Sequence, residues 1–185
     1  MRIAFSGVQS TGKTTLINIL KEDVEFQNYT FITEIVRELA NQGIPINEQG
    51  THDTQILVLG EHMRNAFKNN VVLDRCLLDG VVYTFDTINR MKNGEEYAWV
   101  KEYAANLLNY YIHHYDVIFY LKPEFDIVED GVRSINLQYR HETQLLFEKT
   151  IKRVEDKVKV VFLTGTVEQR IWQIKNTLKS VKTGY

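Results

Sequence analysis

The segment Gly7 to Thr14 constrains the fold of this 185-residue chain more than any other feature. It reads GVQSTGKT, matches the pattern GxxxxGK[ST], and lies between an apolar strand, Ile3 to Ser6, and a helical stretch, Lys13 to Glu22. A loop that turns into a helix directs several backbone N–H groups, and the positive end of the helix dipole, at one point. Gly7 and Gly12 permit the positive φ angles and the close backbone approach that such a turn needs. The sequence therefore predicts a strand, loop and helix that bind the phosphates of a nucleotide.

The loop residues are the expected nucleotide ligands: Gly7, Gln9, Ser10, Thr11, Gly12, Lys13, Thr14 and Thr15. Lys13 is placed to bridge the β and γ phosphates of a triphosphate. The hydroxyl of Thr14 can ligate a Mg²⁺ ion that the same phosphates hold. ATP and Mg²⁺ are therefore the cofactors that we expect.

Short β-branched or aromatic runs alternate with longer helical stretches along the chain. The expected strands are Ile3 to Ser6, Tyr29 to Ile32, Val71 to Leu73, Val117 to Leu121 and Val158 to Leu163. The expected helices span about 13–22, 33–41, 51–68, 76–92, 96–113, 137–155 and 166–181. Because the strands are too apolar to be half exposed to solvent, they predict a parallel sheet covered by helices on both faces. We expect one three-layer α/β domain over residues 1–185, with five parallel strands.

The composition limits the kinds of binding partner that we expect for this protein. The chain has 22 Lys and Arg against 24 Asp and Glu, a formal net charge of −2, so it has no overall basic field that would attract nucleic acids. The longest uninterrupted apolar run, Val117 to Leu121, is far shorter than the roughly 20 residues that cross a bilayer. The sequence shows no secretory signal and has a single cysteine, Cys76. These features predict a cytoplasmic protein without a membrane partner.

A carboxylate is expected near the phosphates where the third strand ends. Val71 to Arg75 reads VVLDR, an apolar strand that ends in an acid, and Asp74 can ligate Mg²⁺ through water. Motor and AAA-type ATPases usually follow this acid with a glutamate that activates water, but here Arg75 follows, and a guanine-reading NKxD motif is absent. These differences favour phosphoryl transfer to an acceptor that Arg75 contacts.

Two further segments follow strands and carry charged candidates. Glu129 to Arg140, which reads EDGVRSINLQYR, follows the fourth strand and predicts a lid over about residues 129–142. Arg133 and Arg140 could then stabilise the transferring phosphoryl group. Glu34 follows the second strand, where a carboxylate can accept a proton from an attacking hydroxyl. An ordinary solvated loop and an exposed ion pair are the structural alternatives for these residues.

On these residues the chain resembles the P-loop nucleoside and nucleotide kinases, and most closely the ribosylnicotinamide kinase domain of bacterial NAD-biosynthesis proteins. The resemblance lies in GVQSTGKTTL at Gly7 to Leu16, TEIVREL at Thr33 to Leu39, and EDGVRS at Glu129 to Ser134. LDRCLLD at Leu73 to Asp79 is more similar to thymidylate kinases and deoxynucleoside kinases. The resemblance implies a P-loop NTPase fold of the kinase type.

The same resemblance implies a catalytic set of charged residues: Lys13, Glu34, Asp74, Arg75, Arg133 and Arg140. Glu34 stands where deoxynucleoside kinases have their general base, while Asp74 would serve either the metal or the acceptor. The metal ligands would be Thr14 and Asp74. The loop Thr164 to Thr166, after the last strand, would lie near adenine.

The acceptor is expected between the helical segments 51–68 and 76–113, and we expect a small nucleoside or nucleotide. Side chains there that could read or stack on a base are Gln55, His62, Asp79, Tyr83, Trp99 and Tyr103, although such residues more often serve the core. Two alternatives stay open. Basic residues between Lys149 and Lys182 would suit a kinase acting on a hydroxyl of a polynucleotide or modified DNA base. The chain could also be a nucleotide-gated interaction protein that binds ATP without an acceptor.

Overall fold

A parallel sheet runs through the centre of the protein, whose computed structural model describes residues 1–33, 35–124 and 136–183. The strands in these ranges are β1 (Arg2–Ser6), β2 (Thr30–Ile32), β3 (Val71–Asp74), β4 (Val117–Leu121) and β5 (Val160–Leu163). Their order in the sheet is β2-β3-β1-β4-β5, and every neighbouring pair is parallel. The predicted five-stranded parallel sheet is confirmed.

Helices cover both faces of this sheet. Those in the described ranges are α1 (Lys13–Lys21), α2 (Ile35–Asn41), α3 (His52–Ala66), α4 (Leu77–Arg90), α5 (Ala98–Tyr111), α6 (Leu137–Ile151) and α7 (Val167–Thr183). None of these helices is long and apolar enough to cross a membrane. All lie close to the spans that the sequence pattern predicted.

Two buried apolar clusters correspond to the two faces of the sheet. Ala4 of β1 belongs to the cluster that contains residues of α3, α4, α5 and α6. Its neighbours Ile3 and Phe5 belong to the second cluster, with residues of α1 and α7. Successive side chains of a strand point to opposite faces, so this division places one helical layer on each side. The three-layer α/β architecture follows.

The sheet order determines where a site can form. β1 lies at the centre, with β3 on one side and β4 on the other. The chain forms the half with β2 and β3 first and then crosses over β1 to the half with β4 and β5. In parallel α/β sheets, ligands bind outside the carboxyl ends of the strands at such a crossover point. The loop Gly7 to Gly12, between β1 and α1, lies at this point.

The core beneath this loop provides a test of the fold. Phe119 in β4 is fully buried and its ring stacks on Phe5 of β1, with 5.4 Å between the ring centroids. We expect Phe119→Ala to lower the free energy of unfolding by about 3–5 kcal/mol in urea denaturation, because it leaves a cavity. Phe162→Ala is the matched control, since this β5 side chain is 42% exposed. Equal losses in the two variants would contradict the packing described here.

Candidate functional site

The loop between β1 and α1 lies at the carboxyl edge of the sheet in a backbone conformation that needs glycine. Gly7 and Gly12 have φ angles of 137° and 88°, in the region that residues with a side chain rarely adopt. A Cβ atom on Gly7 would lie 2.5 Å from the carbonyl oxygen of Leu121. Glycine therefore lets the loop pass directly over the end of β4 before Gly12 begins α1.

Lys13, at the start of α1, lies across this loop and is 6% exposed. Its Nζ donates hydrogen bonds to the carbonyl oxygens of Gly7 (2.8 Å) and Val8 (2.6 Å) and to the Thr11 hydroxyl (3.1 Å). A buried ammonium group needs such acceptors. Phosphate oxygens would be stronger, charge-assisted acceptors for the same group. The geometry thus holds a positive charge beside the loop.

A cavity of about 180 Å³ connects the loop with the neighbouring strand and helices. Its loop side is lined by Gln9 to Thr15, the predicted nucleotide ligands apart from Gly7. The β3 side of the cavity includes Asp74 and Arg75, which follow one another at the end of β3. Side chains of α2, α3, α4 and α6 complete it. One space therefore joins the loop to the carboxyl end of β3.

A buried carboxylate, Asp79 in the first turn of α4, links the loop to Arg75. Its Oδ1 accepts hydrogen bonds from the Gly7 N–H (3.3 Å) and from Arg75 Nη1 (3.2 Å), and its Oδ2 accepts one from the Cys76 N–H (3.1 Å). Arg75 Nη1 also donates to the Gly7 carbonyl oxygen, at 3.1 Å. A fully buried carboxylate requires partners of this kind. Asp79, which the sequence offered as a base-reading side chain, is occupied here in holding Arg75 against the loop.

Arg75 adopts an uncommon backbone conformation, with a φ angle of 72°. Its N–H donates to the Phe5 carbonyl oxygen at 2.9 Å. Its guanidinium lies 5.0 Å from the ring centroid of Tyr83 and donates to the hydroxyl of that residue at 3.3 Å. Such backbone strain persists where the surrounding contacts fix the residue, and it is frequent at functional sites. These contacts hold the guanidinium in the cavity wall.

Asp74 and Thr14 line the same cavity and offer oxygen atoms that suit Mg²⁺. Asp74 Oδ1 is buried and has no hydrogen-bond partner among the described residues. In those same ranges, no group of three or more His, Cys, Asp or Glu side chains could hold a metal ion. The two residues fit a magnesium ion that takes its other ligands from phosphate oxygens and water.

The helices that line the cavity contribute uncharged polar side chains and aromatic rings. Gln55 and His62 of α3 are 6% and 1% exposed. Gln55 Nε2 donates to the Thr87 hydroxyl (3.1 Å), whereas Gln55 Oε1 and His62 Nε2 have no partner in the part of the chain that the structure describes. Burial, together with the positive charge of Arg75, lowers the pKa of His62 to about 3, so its imidazole is neutral at pH 7. Tyr83 and Tyr139 lie on the same wall.

The structure brings together part of the predicted catalytic set. Arg140 in α6 is 7% exposed, and its Nη2 donates to the Ser10 carbonyl oxygen of the loop at 3.2 Å. The expected lid is described only from Asn136, whose side chain accepts the Tyr139 N–H and begins α6. Glu34 and Arg133 lie outside the described residues.

Two residues suggested for the acceptor pocket lie elsewhere. Trp99 and Tyr103 of α5 are 54% and 43% exposed, and neither lines the cavity. The four other side chains suggested for this pocket do line it: Gln55, His62, Asp79 and Tyr83.

Arg170 in α7 also contacts the loop, and sequence reasoning missed it. It is 1% exposed, and its Nη1 donates to the Thr11 carbonyl oxygen at 3.0 Å. A signal was present in the helix pattern, because Arg170 lies on the same face as Ile174 and Leu178, which are buried. An arginine in the apolar register of a helix indicates a buried charge that needs specific partners.

Several kinases of known structure have the same fold. Deoxyadenosine kinase from M. mycoides, with the products dCMP and a flexible dCDP bound, gives a TM-score of 0.70 at 20% identity over 98% of this chain and 100% of that chain. Thymidylate kinase from Candida albicans gives 0.66 at 15% identity over 97% of this chain and 91% of that chain. The NadR protein in complex with NR gives 0.57 at 20% identity, covering 85% of this chain and 42% of that chain. The predicted P-loop kinase-type fold is thus confirmed.

At the level of sequence, no curated protein matches the chain significantly. A family described as AAA domain matches residues 2–170, a span that contains the loop GVQSTGKT and all five strands. Within this family, the chain has Arg75 directly after the acid at the end of β3. The match extends over most of the sequence, and the chain therefore belongs to the AAA domain family of P-loop proteins.

Proposed function

We propose that this protein is an ATP-dependent kinase that transfers the γ-phosphate of ATP to a small nucleoside or nucleotide. The single observation that carries the proposal is the shared cavity, which is lined by the loop Gln9 to Thr15 and also by Asp74, Arg75 and side chains of α3. Phosphoryl transfer requires donor and acceptor to meet in one space from which water is excluded. A protein that only binds ATP would have no need of a second polar wall.

The loop side of the cavity suits the donor. Lys13 would exchange its carbonyl acceptors for phosphate oxygens, and Arg140 lies beside the loop at Ser10. Thr14 and Asp74 would hold Mg²⁺, which neutralises charge on the phosphates during transfer. Arg133 is proposed to act with Arg140 on the transferring group, as the sequence suggested.

The β3 side of the cavity suits the acceptor. Arg75 is proposed to orient the attacking group, since Asp79 and Tyr83 hold its guanidinium in the wall. Gln55 Oε1 and His62 Nε2 are buried polar atoms, and leaving such atoms unpaired is costly, so a bound acceptor would supply their partners. The acceptor would therefore be a small molecule with a polar edge, such as a nucleobase.

The general base is proposed to be Glu34 or Asp74. In the sequence Glu34 comes two residues after the end of β2, the neighbour of β3 in the sheet, and Asp74 ends β3. A base is needed when the acceptor is a hydroxyl, because the attacking oxygen must lose its proton. An acceptor that already carries a phosphate needs none.

The polynucleotide alternative rests on the basic residues late in the chain. One of these, Lys175, forms ion pairs with Asp23 and with Glu25, the latter at 3.0 Å. Its charge is thereby offset within the protein. This residue is thus less available to a polynucleotide, and oligonucleotides in the transfer assay test the alternative.

The central test is transfer of radiolabelled phosphate from ATP to a panel of nucleosides, nucleotides, ribosylnicotinamide and oligonucleotides. We expect a labelled small-molecule product, and Lys13→Ala should lower its rate at least about 100-fold, because a charge that contacts the phosphates is lost. Lys21→Ala, on the exposed face of the same helix, is the matched control and should retain full activity. A labelled product from no acceptor in the panel would refute the proposal.

Arg75 provides a test of the acceptor wall. Arg75→Lys keeps the positive charge but loses the planar group that Asp79 and Tyr83 orient, so we expect kcat/KM for the acceptor to fall about 10- to 100-fold. The affinity for ATP, measured by calorimetry, should change much less. Arg64→Lys, on the exposed side of α3, is the control. A loss confined to ATP affinity would place Arg75 on the donor side instead.

Glu34→Gln distinguishes the two classes of acceptor. If the acceptor is a hydroxyl and Glu34 is the base, we expect Glu34→Gln to lower kcat about 100-fold or more. If instead Asp74→Asn lowers kcat by this amount and Glu34→Gln does not, Asp74 is the base. Rates are measured at saturating ATP and Mg²⁺. An unchanged kcat in Glu34→Gln, with Asp74→Asn altered only in the Mg²⁺ concentration that it needs, would indicate an acceptor that is already phosphorylated.

A further inference from the structure

The cavity defines two sides of the loop that follows β1. The acceptor wall, with Asp74 and Arg75, lies on the side of β3. The strands β4 and β5 lie on the other side of β1. In phosphoryl transfer the attacking and leaving oxygens are roughly in line on opposite sides of the phosphorus. If the proposed function is correct, the nucleoside part of ATP therefore extends from the loop towards β4 and β5.

On that side, Arg170 joins three segments that follow three different strands. Its Nη1 donates to the Thr11 carbonyl oxygen (3.0 Å) in the loop after β1, and its Nε donates to the Gly165 carbonyl oxygen (3.0 Å) after β5. Its Nη2 is paired with the carboxylate of Glu124, after β4. A guanidinium donates in fixed directions within one plane, so these acceptors are held at set positions relative to one another.

The loop after β5 is in turn fixed to α7. The Thr166 N–H donates to Gln169 Oε1 at 2.8 Å, and the Gln169 N–H donates to the Thr166 hydroxyl at 3.3 Å, which is a capping box. Gln173 Nε2 donates to the Thr164 carbonyl oxygen at 2.9 Å. The loop Thr164 to Thr166 and the first turns of α7 thus form one unit, and Arg170 connects this unit to the phosphate-binding loop.

We infer that Arg170 is a positioning residue for the nucleotide, which sets the distance between the phosphate-binding loop and the loop Thr164 to Thr166. A ligand that extends from one loop to the other depends on this distance. ATP is such a ligand, because its nucleoside lies beyond the phosphates. Inorganic tripolyphosphate occupies the first loop alone and does not depend on it. Arg170 therefore contributes to the selection of a nucleoside triphosphate over a bare polyphosphate.

Calorimetric titration with Mg²⁺-ATP and with Mg²⁺-tripolyphosphate tests this inference on the full chain. Arg170→Lys keeps the charge but cannot reach three acceptors, so we expect the Kd for ATP to rise about tenfold and that for tripolyphosphate less than about threefold. Lys175→Met is the matched control on the same helix, since it removes a cation whose partners Asp23 and Glu25 belong to neither loop. It should leave both affinities unchanged.

If Arg170→Lys raises the Kd for ATP and the Kd for tripolyphosphate equally, Arg170 has a merely structural role and the inference is overturned. An unchanged Kd for ATP would overturn it as well. If that variant does not fold, Glu124→Gln tests the same contact from its partly exposed partner. This variant should raise the Kd for ATP about threefold and leave the Kd for tripolyphosphate unchanged. An unchanged Kd for ATP would again overturn the inference. Failure of the wild-type protein to bind ATP at all is a different result, which refutes the proposed function and this inference together.

Discussion

The orientation of the peptide groups in the loop after β1 is the constraint on which the rest of the site depends. Two arginines from different parts of the chain, Arg75 and Arg140, donate hydrogen bonds to its carbonyl groups at Gly7 and Ser10. All peptide bonds in the described ranges are trans, so a carbonyl held on one side presents the next N–H on the other. By fixing carbonyls of the loop, the cations leave N–H groups directed away from them. A phosphate binds such N–H groups at the start of a helix.

Contacts of the loop also fix its position relative to the residues that follow β3. Arg75 belongs to the acceptor wall, yet it donates to the Gly7 carbonyl oxygen while Asp79 accepts from the Gly7 N–H. Both polar groups of one loop residue are thus bonded to the segment that follows β3. A shift of the loop would break bonds to a fully buried carboxylate, which is costly. These bonds therefore couple the position of the loop to that of Arg75.

The fold could be predicted from the sequence because its signals are local and repeated. Apolar runs such as Val117 to Leu121 identify buried strands, and GVQSTGKT is specific in the context of a strand and a helix. The partners of Asp79 and Arg170 could not be predicted, because they depend on which loops the sheet order brings together. Trp99 and Tyr103 show the same limit, because the sequence alone does not tell whether an aromatic side chain of a helix faces a pocket or solvent.

The division of charge within the cavity gives a direction to the proposed reaction. The loop side carries the ammonium of Lys13, whereas α3 presents the amide of Gln55 and a neutral His62 to the same cavity. A polyphosphate gains most from the first side, since charge-assisted hydrogen bonds are the stronger ones. An uncharged polar ring system would bind best beside Gln55 and His62, whose buried atoms need hydrogen-bond partners but no opposite charge. Arg75, which Asp79 holds against the loop, is the residue that we propose to act where the transferred group meets the acceptor.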